Sequence, residues 1–460
     1  MQLVQYYLDC LSQASYLIAD ESSGRAVVVD PRRDVEIYLR DADALKVRIE
    51  LIVETHFHAD FLSGHLELAE ATGATIAYGA LATTDFPIRH LRDGERIQLG
   101  EVVLETLATP GHTPESISLV VFEHAGDAAP FGVLTGDALF IGDVGRPDLL
   151  AGAGLSAEQL ARQLYRSLHE KLLTLPDTTR VYPAHGAGSA CGRNLSSETS
   201  STIGDQRRFN YACQQMSEDE FVALISGGQP AAPLYFAYDA TLNRRERSLL
   251  DEHAPVPALS LDEVLAAQRT GTLLVDTRST ADFAAGHLRG AIQVGLDTRF
   301  AEYAGSVLPA DTPIVVTGAP GTEHEARVRL ARIGFDRVVG HLPELERHLV
   351  NHPELAARTS QLTASQLLER RSALTDLQVV DVRNPGEVAT GTLDGAVALP
   401  LANLRERLEE LDARAPTALY CAGGVRSMIA ASLLEQRGFR DVSSVLGGYD
   451  AIAREIGQLV

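Results

Sequence analysis

Apolar runs closed by turn residues recur through the first half of the chain: YLIAD, AVVVD, IELIVETH, TIAYG, VVLETLATPGH, ISLVVF and FGVLTGDAL. Short runs rich in Val and Ile and bounded by Gly, Pro or Asp predict strands. A sheet-rich first domain therefore extends to about Glu252. The Pro-punctuated segment HAPVPALS then precedes the helical run LDEVLAAQR, which places a domain boundary near residue 255.

Beyond that boundary strands alternate with helices, and the pattern occurs twice. TLLVDTRSTADFAAGHLRGAIQV and PIVVTGAPGTEHEARVRLARIGF are followed by LQVVDVRNPGEVATGTLDGAVALPL and TALYCAGGVRSMIAASLLEQRGF. In each copy an apolar strand ends in Asp-x-Arg, at Asp276 and Arg278 and again at Asp381 and Arg383. A G-x-L-x-G-A turn, a second strand, a loop and a helix closing on Gly-Phe follow in order. Two copies of one unit, each of roughly 100 residues, predict small doubly wound α/β domains with central parallel sheets. Chemistry in such units belongs in the loops after the strands. The expected organisation is three domains, at residues 1–255, 256–355 and 360–460.

At 460 residues and 45% hydrophobic, the chain is too long for a single ordinary core, which agrees with that count. The formal charge of −22 argues against nucleic acid and anionic membrane as partners, because both repel an acidic surface. No apolar run is long enough to span a bilayer, and the first residues lack a basic segment followed by an apolar stretch, so a cytoplasmic location is expected. Cys10, Cys191, Cys213 and Cys421 lie far apart with no C-x-x-C pair, which fits neither a disulfide framework nor a structural zinc site. Cysteine chemistry here is that of single thiols. Cys10, in a strand-like context, and Cys213, in a helix-like one, read as packing residues.

Potential metal ligands stand where strands become loops. Thr55-His56-Phe57-His58-Ala59-Asp60 follows IELIVE, and the next Ser63-Gly64-His65 suggests a helix start. Thr109-Pro110-Gly111-His112-Thr113-Pro114 puts a histidine on a rigid turn, Thr135-Gly136-Asp137 adds a carboxylate, and Tyr182-Pro183-Ala184-His185-Gly186 adds another histidine. A lone histidine or aspartate at a turn is usually a local hydrogen-bonding residue. Four such sites, each after an apolar strand, point to one metal centre.

These motifs, T-H-x-H-x-D, P-G-H-T, G-D-A-L-F and P-x-H-G in that order, resemble the metallo-β-lactamase superfamily over most of residues 1–250. The resemblance implies an αββα sandwich with its ligands gathered at one edge. The family pattern continues with a second-metal histidine after the aspartate, whereas this chain has Phe61, so a single metal is expected. The run LFIGDVGRPDL, Leu139 to Leu149, resembles the persulfide dioxygenases, whose one Fe(II) implies His56, His112 and Asp137 as ligands. Two imidazoles and a carboxylate on one face of iron leave positions for a sulfur and for O2. His58, Asp60 and His185 would then orient ligands, water or substrate. Arg146 is a candidate anchor for an anionic substrate; the alternative is a structural arginine paired with Asp143 or Asp148. The Gly- and Ser-rich stretch from His185 to Asn210 reads as a loop across the mouth of the site. It exposes Cys191, either as a sulfur-handling thiol or as an incidental one.

In the last repeat, Cys421-Ala422-Gly423-Gly424-Val425-Arg426-Ser427 joins the strand TALY to the helix SMIAASLLEQR. Such a loop lets backbone N–H groups turn toward the sulfur, while the helix dipole and Arg426 favour negative charge there. It resembles the active-site loop of rhodaneses, C-x-x-G-x-R, over roughly residues 360–460. That resemblance implies a cysteine persulfide on Cys421, cradled by Ala422, Gly423, Gly424, Val425 and Ser427. Related phosphatases use C-x5-R, whereas this loop is C-x4-R. Thr392 replaces the family's usual histidine in the G-H-I-x-G-A turn. The middle repeat keeps His287 in that turn, but its loop reads Thr317-Gly318-Ala319-Pro320-Gly321-Thr322-Glu323, with Thr317 set against the cysteine and neither thiol nor arginine present. It should be silent and serve as a spacer or docking surface.

The two resemblances together imply a persulfide dioxygenase–rhodanese fusion. By that resemblance, O2 at an Fe(II) centre would oxidise a glutathione- or coenzyme A-type persulfide to sulfite and thiol, and Cys421 would transfer sulfur to give thiosulfate. A homo-oligomer is compatible with this. Two rivals stand beside it: a glyoxalase II-like thioester hydrolase using zinc, and a sulfur-relay or sensing protein that turns over no oxygen.

Overall fold

The computed structural model describes residues 1–149, 155–193, 195–227, 229 and 232–459. It divides into two units, one built mainly on residues 1–229 and 235–252, the other on 253–331 and 335–460.

In the first unit the predicted strands form two six-stranded sheets. One runs β1 (Gln2–Leu8), β2 (Gln13–Asp20), β3 (Arg25–Val29), β4 (Arg48–Val53), β5 (Thr75–Gly79) and β6 (Arg89–Leu91) in that order. The other runs from β7 (Arg96–Gln98) through β8 (Val103–Ala108), β9 (Ile117–Phe122), β10 (Gly132–Gly136) and β11 (Arg180–Pro183) to β12 (Ser201–Thr202). β2 is buried along its whole length because both faces are covered. Its Ala14, Tyr16 and Ile18 join Leu104, Leu119, Val121 and Leu134 of the other sheet in one core. Leu17 and Ala19, on the opposite face, join Tyr38 and Ala42 of helix Glu36–Leu45 and Leu68 of helix His65–Thr72. The outer face of the second sheet buries Val120, Val133 and Val181 against Ala161 and Leu164 of helix Ala157–Arg166. Period-two burial on both faces of two sheets yields the expected αββα sandwich.

The stretch read as a loop from His185 to Asn210 contains regular structure: β12 and helix Ile203–Phe209 lie within it, while residue 194 is outside the described residues. The local reason is a capping signal, since Thr202 Oγ1 accepts a hydrogen bond from the Asp205 N–H at 3.1 Å. Cys10, expected in a strand, lies half-buried in the turn after β1. Cys213 is buried among Leu168, Phe221 and Ile225.

The second unit holds both repeats. The first has β13 (Leu273–Asp276), β15 (Ile292–Gln293), β16 (Ile314–Thr317) and β17 (Val338–Leu342) in the order β15-β13-β16-β17, all parallel. A small antiparallel pair joins β14 (His287–Leu288) to β18 (Ala356–Ala357). The second repeat has β19 (Ser360–Leu362), β20 (Gln378–Asp381), β21 (Val397–Ala398), β22 (Thr417–Tyr420) and β23 (Val442–Val445) in the parallel order β19-β23-β22-β20-β21. Helix Val425–Gln436, which follows the Cys421 loop, carries small and apolar residues around its middle turns and is buried from Ser427 to Leu434. A helix of that kind needs cover on every face. Met428 lies in the core of the first repeat, and Ser432 Oγ accepts a hydrogen bond from the Gln293 N–H at 3.0 Å.

Candidate functional site

His56, His112 and Asp137 each follow the end of a strand, β4, β8 and β10, and their ligand atoms lie within 4.8 Å of one another in a buried cluster. His112 Nε2 is 3.4 Å, and His56 Nε2 3.8 Å, from Asp137 Oδ2. The other ring nitrogens are engaged from behind: His56 Nδ1 is 2.9 Å from Thr55 Oγ1 and His112 Nδ1 is 2.8 Å from the Arg146 carbonyl. Each imidazole is thereby oriented with Nε2 inward. His56 Nε2 and the Asp137 carboxylate oxygens are buried without a hydrogen-bond partner. Buried polar atoms left open in this way fit a cation. Burial first, then His58, His112 and His185 nearby, holds the His56 imidazole well below its usual range, in the neutral form a metal ligand needs. Gly145 passes directly beneath: a Cβ there would collide with the Asp137 carbonyl, which accounts for glycine in the GDVGRPDL run.

His58, Asp60 and His185 form an adjoining trio within the same distance. His185 Nε2 is 3.4 Å from Asp60 Oδ2 and 3.5 Å from Asp137 Oδ1. His58 is also held by two carboxylates, with Nε2 3.1 Å from Asp30 Oδ1 and 3.4 Å from Glu54 Oε2. Burial opposes charge on His58, but Asp30 and Glu54 outweigh it and raise its pKa well above the usual range. The Phe61 ring, fully buried, lies 4.4 Å from the His58 ring.

Sequence reasoning missed the groups that hold this loop. Asp30, in the left-handed region at φ 51°, accepts hydrogen bonds from the Thr55 N–H at 2.7 Å and the Thr55 hydroxyl at 2.9 Å. Asn243 Nδ2 donates to the carbonyls of His58 and Phe61, its Oδ1 accepts from the Ser63 N–H, and the Tyr235 hydroxyl donates to the Asp60 carbonyl. Asp30 was visible as the acid closing AVVVD. Asn243 and Tyr235 carried no motif.

The contacts of Arg146 are those of the paired alternative. Its side chain is buried and forks onto Asp148, Nε to Oδ1 at 2.8 Å and Nη2 to Oδ2 at 2.6 Å, with Nη1 donating to the Ala190 carbonyl. It is an ion-paired arginine that ties two loops together. Cys191, expected to be exposed, is 1% exposed. The Arg146 N–H donates to its carbonyl, the Ala187 N–H donates to the Ser196 carbonyl, and the chain folds inward. Cys191 thus joins Asp137 and His185 at the edge of the metal cluster. Burial, then the Asp60 and Asp137 carboxylates, pushes its thiol pKa well up, so the thiol keeps its proton.

Cys421 follows β22 and is 2% exposed. The Gly424 N–H donates to its sulfur at 3.0 Å, with Gly424 at φ 109°, and the thiol donates to Ser427 Oγ at 3.7 Å. Ser427 is fixed in turn by the Gly424 carbonyl and Ser444 Oγ. Ala422, Gly423 and Val425 complete the turn into helix Val425–Gln436. Arg426, expected to serve the sulfur directly, is forked onto Glu387, with both N–O distances at 2.7 Å. Thr392 Oγ1 donates to Asp381 Oδ2 at 3.0 Å and lies 2.8 Å from the Tyr420 hydroxyl, so the residue in the histidine's place steadies the Asp381–Arg383 pair.

In the first repeat the residue matching Cys421 differs from the expectation. Asp276 pairs with Thr317 as Asp381 pairs with Tyr420, so Gly318, not Thr317, occupies the cysteine's place. Counting on from there, Glu323 stands where Arg426 stands. A Cβ on Gly318 would collide with Thr277 Oγ1. The loop lacks the thiol, has no room for one, and reverses the charge.

The metallo-beta-lactamase superfamily model matches residues 8–185, and the rhodanese-like domain model matches residues 260–343 and 363–455. The class is therefore a metallo-β-lactamase-fold domain followed by tandem rhodanese-like domains. Persulfide dioxygenase ETHE1, mitochondrial, of Bos taurus is 35% identical over 217 residues, covering 46% of this chain and 75% of that protein. The Homo sapiens counterpart is 32% identical over 237 residues, covering 50% and 83% respectively. A solved metallo-beta-lactamase from Staphylococcus aureus subsp. aureus COL is 35% identical, with a TM-score of 0.69 over 75% of this chain and 99% of that one. The chain belongs to the persulfide dioxygenase family of the metallo-β-lactamase superfamily, joined to two rhodanese-like domains.

Proposed function

We propose that the chain is an Fe(II)-dependent persulfide dioxygenase whose product is coupled to sulfur transfer at Cys421. The observation that carries this is the buried trio His56, His112 and Asp137, with its open polar atoms converging, in a chain of this family. Iron(II) held there would supply positions at which a persulfide sulfur and O2 meet. The protein's own groups do the rest. Thr55 and the Arg146 carbonyl fix the two imidazoles. Asp60 and His185 line the adjoining space as acceptor and donor for water or substrate, and the protonated Cys191 thiol closes its edge. Overall, one persulfide, one O2 and one water give one thiol, sulfite and two protons.

Phe61 against His58, together with the Asp30 and Glu54 carboxylates that hold His58, supports a single metal. The sulfite formed then accepts the outer sulfur of a Cys421 persulfide, giving thiosulfate. The domains proposed for these steps are 1–255, 360–460 and, between them, the silent 256–355. Glutathione or coenzyme A persulfide is the substrate class. No helix among the described residues is long and apolar enough to cross a membrane, which supports a cytoplasmic placement. The adjoining trio His58, Asp60 and His185 is what favours the second reading, a zinc thioester hydrolase with two metals.

Anaerobic purification, metal quantification and an oxygen electrode separate the two. One iron per chain and oxygen uptake with glutathione persulfide, lost in Asp137→Ala, is the expected result. Zinc, thioester cleavage and no oxygen uptake would overturn it.

A further inference from the structure

His112 and His56 are held from behind by groups of different kinds. The Arg146 carbonyl can only accept, so the His112 ring carries its hydrogen on Nδ1 and offers the Nε2 lone pair inward. Behind His56 stands the Thr55 hydroxyl, 2.9 Å from Nδ1, which could donate or accept. Were it to donate, the hydrogen of the neutral ring would sit on Nε2 and block the lone pair a metal needs. Asp30 removes the choice. Its Oδ1 accepts the Thr55 N–H at 2.7 Å, and its Oδ2 lies 2.9 Å from Thr55 Oγ1. Burial lifts the Asp30 pKa, but His58 Nε2 at 3.1 Å and the Thr55 N–H favour the carboxylate, which only accepts. The single hydroxyl hydrogen therefore goes to Asp30, and Thr55 Oγ1 accepts from His56 Nδ1–H. All three side chains are buried, so no solvent competes for these bonds. Gly136 passes close behind Thr55, where a Cβ would collide with the Thr55 side chain. The Asp30 backbone is fixed as well, its N–H on the Val53 carbonyl and its carbonyl on Gln13 Nε2.

We propose that Asp30 is the positioning residue of the metal centre, fixing the His56 hydrogen on Nδ1 through Thr55 so that Nε2 is open to the metal. The same carboxylate faces His58 Nε2 and so sorts the two histidines of the H-x-H pair. One turns to the metal, and the other to Asp30 and Glu54. This rests on the reading of His56, His112 and Asp137 as the Fe(II) site. The left-handed backbone at Asp30, φ 51°, is one that Asn also adopts, so Asp30→Asn keeps the backbone while replacing an acceptor with a donor. The Thr55 N–H cannot reverse, so the Asn oxygen stays on it and the amide NH2 faces Thr55 Oγ1. The hydroxyl then turns its hydrogen on His56 Nδ1, and the ring hydrogen shifts to Nε2.

The test is anaerobic Fe(II) binding by the full chain, read by competition with a chromogenic chelator, beside nitrogen NMR of the histidine-labelled, metal-free chain. The unsubstituted chain should show the His56 hydrogen on Nδ1, its signals being assigned by their loss in His56→Gln. Asp30→Asn should show it on Nε2 and bind Fe(II) about tenfold more weakly or worse. Adding Thr55→Val to Asp30→Asn removes the misdirected hydroxyl and should restore part of the affinity, whereas a carboxylate that only braced the loop would leave the double variant weaker still. Equal Fe(II) affinity in Asp30→Asn, a hydrogen remaining on Nδ1, or no recovery in the double variant would each overturn the inference alone. Should Asp30→Asn not fold, Thr55→Val by itself decides: weaker Fe(II) binding, with the His56 hydrogen shared between both nitrogens, supports the inference, and unchanged binding overturns it. An unsubstituted chain that takes up no Fe(II) would overturn the metal reading and this inference with it.

Discussion

The two rhodanese-like repeats each have a parallel sheet of their own, the same register between its central strands and an Asp-x-Arg pair, yet differ where the second strand meets the loop. At Cys421 a thiol meets the Gly424 N–H, and Arg426 is balanced by Glu387. At the matching point stand Gly318, closed in by Thr277, and Glu323. Asp276 and Arg278 still pair in the copy without the thiol, Nη2 to Oδ2 at 2.6 Å, just as Arg383 and Asp381 pair at 2.7 Å. The pair therefore belongs to the fold, and chemistry belongs to the loop.

Several substitutions sharpen that contrast. Cys421→Ser should cut thiosulfate-dependent sulfur transfer by at least about a thousandfold, since no other thiol occupies a rhodanese loop. Residual transfer carried by another cysteine would break the assignment. Conversely, Gly318→Cys combined with Thr277→Ala should carry no persulfide by mass spectrometry, and adding Glu323→Arg should make it detectable. Charge, not the thiol alone, is then what separates the loops. Glu387→Gln should lower transfer about tenfold, because the bidentate pair that fixes the Arg426 guanidinium beside the loop is lost. Thr392→Ala should cost about 1 kcal/mol of unfolding free energy through the lost bond to Asp381, with little change in rate.

The smallest effect is one of pH. Burial works against charge on Glu387, but the Arg426 pair outweighs it and holds the carboxyl below its usual range. A depressed native pKa means that the pair's contribution is complete above the unfolded carboxyl range and fades as pH falls through the native value. The group is half-buried, so solvent screens the contribution. Unfolding followed against pH should show a slightly steeper acid limb in the unsubstituted chain than in Glu387→Gln.

Much of this was legible in sequence because it is local. The apolar runs marked the strands, and His56, His112 and Asp137 were visible as candidate ligands after strand ends. What escaped is long-range. The place of Gly318 depends on the pairing of β16 with β13, which the residues of the loop do not report. Cys191 looked exposed because Gly and Ser surround it, but its carbonyl is bound by Arg146, and Arg146 by Asp148. Asn243 and Tyr235 support the metal loop across about 180 residues of sequence, a distance at which no motif reports contact.

The proposed function requires two sites acting in sequence, one oxidising a persulfide sulfur to sulfite and the other transferring a second, sulfane sulfur onto that sulfite. The most direct measurement follows glutathione persulfide oxidation in Cys421→Ser, recording oxygen uptake alongside sulfite and thiosulfate. Unchanged uptake with sulfite accumulating in place of thiosulfate is the predicted result; an unchanged ratio of the two products would contradict it.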